Sequence, residues 1–201
     1  MFDVDGTIWD STGPICRAWN KVLAKNGFPS IILTPDRLKT EFGKPLDVIG
    51  DDLLPEIPSA KRSAILDQWI TVQAECILTD VPDLYEGLEE ALEKLSEKYP
   101  LFVISNSSKG YIESLYEVTG LDKYFRDHVC NGDTGLPKDG NIRYMTEKHS
   151  LLHPAYVGDI QGDYEASRKA GAYFIHAAYG FGDVSDWDLR IDKPLDLLKL
   201  L

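Results

Sequence analysis

A doubly wound α/β fold is what this sequence predicts: a parallel sheet with helices on both faces, interrupted after its first strand by an all-helical insertion. Three observations predict it. Beyond Pro82, short apolar runs alternate with helical patterns of about ten residues, the signature of parallel strands joined by crossover helices. Between Ser11 and Val81 the apolar spacing is almost wholly helical, and the only strand-like run, Ile31-Ile32-Leu33, is too short to found a sheet. The chain opens on Phe2-Asp3-Val4-Asp5-Gly6-Thr7-Ile8, where two carboxylates two positions apart are followed by a turn-forming glycine. On a strand end, period-2 geometry sends Asp3 and Asp5 the same way. Two like charges held that close need a cation beside them, or one must keep its proton.

Composition bounds the reading. At 201 residues the chain can bury one core, or a core with a small second lobe. A formal charge of −12 argues against broad electrostatic binding to nucleic acid or anionic membranes. Cys16, Cys76 and Cys130 are far apart and lack metal-ligand spacing, so they read as reduced thiols of a cytoplasmic protein. No apolar run approaches the roughly 18 residues of a membrane span, and no stretch resembles a signal peptide.

The insertion starts with a helix capped by Ser11 or Thr12, with Pro14 in its first turn and Gly27 at its end. Ile15, Trp19, Val22 and Leu23 form its apolar stripe. Thr34-Pro35 opens a second helix that stops near Gly43, Pro45 starts a third, and Ser59 to Leu78 makes a longer fourth. Downstream the expected order is helix Tyr85–Lys98, strand Leu101–Ile104, helix Lys109–Val118, strand His128–Cys130, helix Lys138–His149, strand Ala155–Val157, helix Asp163–Ala170 and strand Ala172–Ile175. The tail from Leu195 to Leu201 reads as an amphipathic helix closing the core. Residues 1–10 and 82–201 form the α/β unit, and residues 11–81 the helical one.

Ligands of such sheets sit beyond the carboxyl ends of the strands. Asp3 and Asp5 end the first strand and Ser105-Asn106 the second, while Asp159 follows Ala155–Val157 through Gly158. Lys138 opens a helix after the Gly135-Leu136-Pro137 turn. Chemically distinctive side chains thus recur on one edge of the sheet.

Asp3-Val4-Asp5-Gly6-Thr7, Ser105-Asn106, Lys138 and Gly158-Asp159-Ile160-Gln161-Gly162-Asp163 together resemble the four ordered motifs of the haloacid dehalogenase superfamily. The insertion resembles the small helical, C1-type cap of its phosphoglycolate phosphatase-like branch on a Rossmann-like core. The resemblance implies a Mg²⁺-dependent phosphatase acting on a small phosphorylated metabolite. Asp3 would be the nucleophile that forms an aspartyl phosphate, splitting one hard step into two. Asp5 would protonate the leaving oxygen and then take a proton from water. Mg²⁺ prefers octahedral oxygen ligation with few carboxylates; the Asp3 and Asp159 carboxylates and the Asp5 backbone carbonyl fit. Asp163 would hold waters or Lys138, or cap its own helix. Ser105 and Asn106 would donate to phosphate oxygens. Lys138 would balance charge: with Mg²⁺ bound and Asp5 protonated, the four carboxylates come to neutrality and a phosphate dianion can enter.

Glu41-Phe42-Gly43-Lys44-Pro45-Leu46 resembles the cap loop that faces substrate in this branch, with Lys44 as candidate contact to the substrate's distal end and Arg17 and Asn20 as weaker ones. Trp19 and Trp69 read as cap core. The four histidines share no metal-like spacing. Two other readings stay open: a phosphomutase of the same superfamily, although no His lies between residues 1 and 127, and a non-catalytic phospho-ligand-binding or receiver-like protein. Monomer and homodimer are both compatible.

Only Met1 and Phe2 precede Asp3, whereas a central parallel strand has roughly four to eight residues before its catalytic end. The expectation is that the natural protein carries upstream residues. Intact mass and N-terminal sequencing of protein from its native source check this; a native chain that starts at Met1 defeats it.

Overall fold

The computed structural model describes all 201 residues, Met1–Leu201. In chain order the elements are β1 (Trp9–Asp10), α1 (Thr12–Lys25), α2 (Pro35–Lys39), α3 (Leu46–Leu53), α4 (Ser59–Thr79), β2 (Asp83–Leu84) and α5 (Leu88–Ser96). Then come β3 (Leu101–Ser105), α6 (Tyr111–Thr119), β4 (Phe125–Cys130), α7 (Asn131–Thr134), α8 (Lys138–Lys148), β5 (Ala155–Gly158), α9 (Gln161–Ala170), β6 (Tyr173–Ala177), β7 (Leu189–Ile191) and α10 (Leu197–Leu200).

Two parallel ladders, β3–β4 and β5–β6–β7, are joined through the first residues of the chain. Phe2 bridges Val103 on one side and Val157 on the other, both in parallel. Its N–H donates to the Phe102 carbonyl at 2.8 Å, its carbonyl accepts from Ile104 at 2.9 Å, and the Asp3 N–H donates to Val157 at 2.9 Å. The sheet therefore runs β4-β3-(Met1–Asp3)-β5-β6-β7, and Asp3 leaves it at the carboxyl edge. Strand β3 is buried along its whole length, as its uninterrupted apolar run requires. Its pleat puts Leu101 and Val103 into one core, with Phe2, Val157 and Ile175, and Phe102 and Ile104 into another, with Tyr156, Phe174 and Met145.

The helical insertion leaves and rejoins through an antiparallel stem, Trp9 opposite Leu84 and Asp10 opposite Asp83. Inside it α1 packs on α4, with the Trp19 and Trp69 rings stacked 4.9 Å apart. Its buried residues are continuous with the first of the two cores.

Several local expectations are corrected. Ser11 precedes α1 but makes no capping hydrogen bond; its hydroxyl goes to Asp5 instead. The helix expected from Tyr85 starts only at Leu88, because Gly87 stands at φ +77° and breaks the backbone there. Both stem strands, β7 and the one-turn α7 carry no sequence pattern long enough to read. The tail is a 3₁₀ turn, Pro194–Asp196, followed by α10, and of its leucines Leu197 is buried while Leu200 and Leu201 are exposed. All three cysteines are free.

Phe2, whose backbone joins the two halves of the sheet, buries its ring in the first core at 3% exposure. Phe2→Ala should cost about 3–5 kcal/mol in urea unfolding. Tyr173→Ala, at a position 63% exposed, should stay within about 0.5 kcal/mol.

Candidate active site

The acidic motif is built by its glycine. Gly6 stands at φ +83°, and a Cβ there would overlap the Asp159 carboxylate. Gly180 lies equally close: a Cβ on it would strike both Asp159 and the Gly6 carbonyl. Asp159 is fully buried between these two glycines, accepting from the Phe181 N–H at 2.7 Å and the Thr7 hydroxyl at 3.4 Å.

Asp3 and Lys138, 135 positions apart in the chain, are both buried and their charged atoms are 2.8 Å apart. Lys138 also donates to Asp163 at 2.5 Å. The other Asp163 oxygen accepts the N–H groups of Asp159 at 3.0 Å and Ile160 at 3.2 Å. Asp163 thus ties Lys138 to the loop that carries Asp159, and closes the first turn of α9 as it does so. Burial works to lower the Lys138 pKa, but Asp163 and Asp3 outweigh it and hold the ammonium charged. Burial pushes Asp3 up to about 7, with Lys138 pulling down and Asp163 and Asp5 pushing further up. Asp159 is lifted well above the carboxylate range by burial, then by Asp163 and Asp3.

Asp5 has a different setting. Its Oδ1 accepts from the Tyr111 hydroxyl at 2.6 Å, the Trp9 indole at 3.1 Å and the Ser11 hydroxyl. Burial raises its pKa, and these three donors oppose the rise without cancelling it. Burial thus raises both carboxylates, but they differ in what opposes it: a lysine ammonium at Asp3 and neutral donors at Asp5.

Asp3, Asp159 and Asp163 offer carboxylate oxygens that all lie within 4.8 Å of one another. An all-oxygen, carboxylate-rich donor set suits a hard divalent cation such as Mg²⁺. Asp163 is committed to Lys138 and to two backbone N–H groups of its own turn, while Asp3 and Asp159 face one another beside it.

Above this edge the insertion encloses a cavity of about 60 Å³ that Asp3, Asp5, Ser105, Asn106, Glu41 and Lys44 all line. The Ser105 hydroxyl accepts from the Ser107 N–H at 3.1 Å. The Asn106 amide donates to the Gly43 carbonyl at 2.6 Å and so pins the insertion's loop to the sheet. Lys44 lies between Glu41, 2.6 Å away, and Asp52, 2.7 Å away. Arg17 pairs with Asp80, and Asn20 holds the Leu33 backbone at 2.8 and 2.9 Å; neither reaches the cavity. Trp19 and Trp69 line it as well as filling the insertion's core. Sequence reasoning missed Tyr111, and also Tyr156, whose hydroxyl meets Asp3 at 3.3 Å. Each sits within an ordinary amphipathic or strand pattern, so no local signal marks it.

Residues 1–177 match the family model described as haloacid dehalogenase-like hydrolase. The chain belongs to that family. It is similar to the phosphoglycolate phosphatase of Aliivibrio fischeri, 27% identical over 194 residues and covering 90% of this chain and 83% of the relative. The phosphoglycolate phosphatase of Aquifex aeolicus is 24% identical, with 100% of this chain and 95% of that one covered. Among solved structures, a predicted phosphoglycolate phosphatase from Haemophilus somnus superposes with a TM-score of 0.87 at 24% identity, covering 99% and 95% of the two chains. A haloacid dehalogenase-like family protein from Streptococcus pneumoniae reaches 0.85 at 22% identity, with the same coverage. The protein is thus a hydrolase whose Rossmann-like sheet is shared with these structures.

Gly27 has nearly the φ of Gly6, +86°, but open space around it. Gly27→Ala should cost about 1–2 kcal/mol for the left-handed backbone alone. Gly6→Ala should cost distinctly more in the same urea titration, since the new methyl displaces Asp159.

Proposed function

We propose that this haloacid dehalogenase-like hydrolase is a Mg²⁺-dependent phosphatase of small phosphorylated metabolites, working through an aspartyl phosphate on Asp3 in the cytoplasm. The observation that carries this reading is the pairing of the buried, lysine-bonded Asp3 with the desolvated Asp5 at the mouth of one enclosed cavity.

The Asp3 carboxylate attacks phosphorus while the bond to the leaving oxygen breaks, and protonated Asp5 delivers its proton to that oxygen. Asp5, now ionised and steadied by Tyr111, Trp9 and Ser11, then takes a proton from water as the water attacks the aspartyl phosphate. Phosphate leaves and Asp3 is restored. Bound Mg²⁺, held by Asp3, Asp159 and the Asp5 carbonyl, would supply charge neutralisation for the phosphoryl oxygens. Lys138 keeps Asp3 oriented, and the Ser105 hydroxyl sits at the cavity wall for a phosphoryl oxygen. The insertion, residues 11–81, acts as a cap that excludes bulk water. None of the four histidines lines the cavity, which favours transfer to water over a mutase cycle with a histidine acid–base.

Release of phosphate from p-nitrophenyl phosphate should require Mg²⁺, stop with EDTA, and fall by roughly three orders of magnitude or more in Asp3→Asn. Metal-independent turnover, or turnover that survives the substitution, rejects the reading.

The pKa of Asp3, raised from 3.8 to about 7, adds a pH signature. Between those values the folded chain binds more protons at Asp3 than the unfolded one, so this group's contribution to metal-free stability falls as pH rises through the window. Mg²⁺ needs the ionised form. At saturating Mg²⁺, Tm should rise by roughly 5–10 °C near pH 8 and by far less near pH 5; a shift independent of pH contradicts the assignment.

A further inference from the structure

The cavity's inner wall shows which leaving groups it can accept. Lys44 is the only cation among its lining residues, and it is already paired with two carboxylates. Its ammonium donates to Glu41 and to Asp52. Glu41, 3% exposed, is held from its other side by Arg37. Two acids and two bases therefore balance one another, and no positive charge is left over for a ligand. Burial works to lower the Lys44 pKa, yet its bonds to Asp52 and Glu41 raise it, as expected of an ammonium already compensated.

The rest of the wall is neutral. Trp19, Leu38, Phe42, Leu46 and Trp69 supply apolar surface. Three buried polar atoms on it have no partner: the Trp69 indole N–H, the Asn106 carbonyl oxygen and the Ser107 hydroxyl. Buried polar groups without partners are costly and rare. One donor, one acceptor and one hydroxyl are the complement of a neutral alcohol. The cavity is compact, about 60 Å³ in volume, which favours a small leaving group. A carboxylate placed there would meet Glu41 and find no free cation, an uncompensated buried charge.

We infer that the cap wall formed by Glu41, Lys44 and Trp69 selects phosphomonoesters of small uncharged hydroxylated alcohols and rejects those whose leaving group carries a carboxylate. The inference rests on the phosphatase reading above and narrows its substrate class. In it Lys44 is a positioning residue, which neutralises Glu41.

The test compares 2-phosphoglycolate with 2-hydroxyethyl phosphate, which differ only by carboxylate against hydroxymethyl, on the full-length chain with Mg²⁺ and with p-nitrophenyl phosphate alongside. The neutral ester should have the higher kcat/KM by roughly tenfold or more. Glu41→Gln frees Lys44 and should move the ratio toward phosphoglycolate by several-fold. Lys44→Met should lower both substrates together. Equal or better use of phosphoglycolate by the wild type overturns the inference, as does a Lys44→Met loss confined to phosphoglycolate, while activity on p-nitrophenyl phosphate keeps the phosphatase reading intact. No release from any of the three esters removes that reading and the inference with it.

Discussion

A single buried ammonium holds this site together. Lys138 sits on the first residue of α8, in contact with Asp3 from the centre of the sheet and Asp163 from α9. Three carboxylates gathered within 4.8 Å and removed from water would repel one another strongly. Lys138 offsets part of that repulsion, and the two N–H groups aimed at Asp163 offset more. What stays uncompensated appears as the raised pKa values of Asp3 and Asp159. The charge deficit that destabilises the empty cluster is the same one that would draw in a divalent cation and then a phosphate dianion.

The backbone around this cluster is as constrained as its charges. Asp159 fits because Gly6 and Gly180 have no side chains, and Asp163 fits against Gly158, where a Cβ would collide with its carboxyl. Gly6 and Gly180 come from two separate turns and Gly158 from the last position of β5, all at the carboxyl edge of the sheet. Asp5 turns toward Trp9, Ser11 and Tyr111, which donate to it, and burial raises its pKa against these donors and the charge of Lys138. Trp9 and Ser11 lie where the insertion leaves the sheet, so the insertion does more than cover the site.

At a formal charge of −12 the protein as a whole repels phosphate esters. Its charges are instead paired off locally, in two places. Near the sheet, Lys138 lies between Asp3 and Asp163. At the far wall, Lys44 and Arg37 balance Glu41 and Asp52 without surplus. At the second place the pairing leaves no unpaired charge, only apolar surface and neutral hydrogen-bonding groups.

Fold class, strand order of the motif residues and the helical insertion were legible because each leaves a local trace: periodicity of 2 or 3.6, punctuation by glycine and proline, and the Asp3-Val4-Asp5-Gly6-Thr7 run. Elements of two or three residues, such as β1, β2 and β7, leave none, since pairing partners far along the chain stabilise them. Likewise Ser11 read as a helix cap, since its proximity to Asp5 depends on how α1 leaves its stem. The sequence by itself determined the kinds of groups present and the edge on which they gather, because strand direction and spacing are local properties. Only the tertiary structure decided which charges meet. It placed Tyr111 on Asp5 and Tyr156 on Asp3, and closed Lys44 between Glu41 and Asp52. Electrostatic pairing depends on distances of a few ångströms between residues far apart in sequence, and no local pattern encodes these.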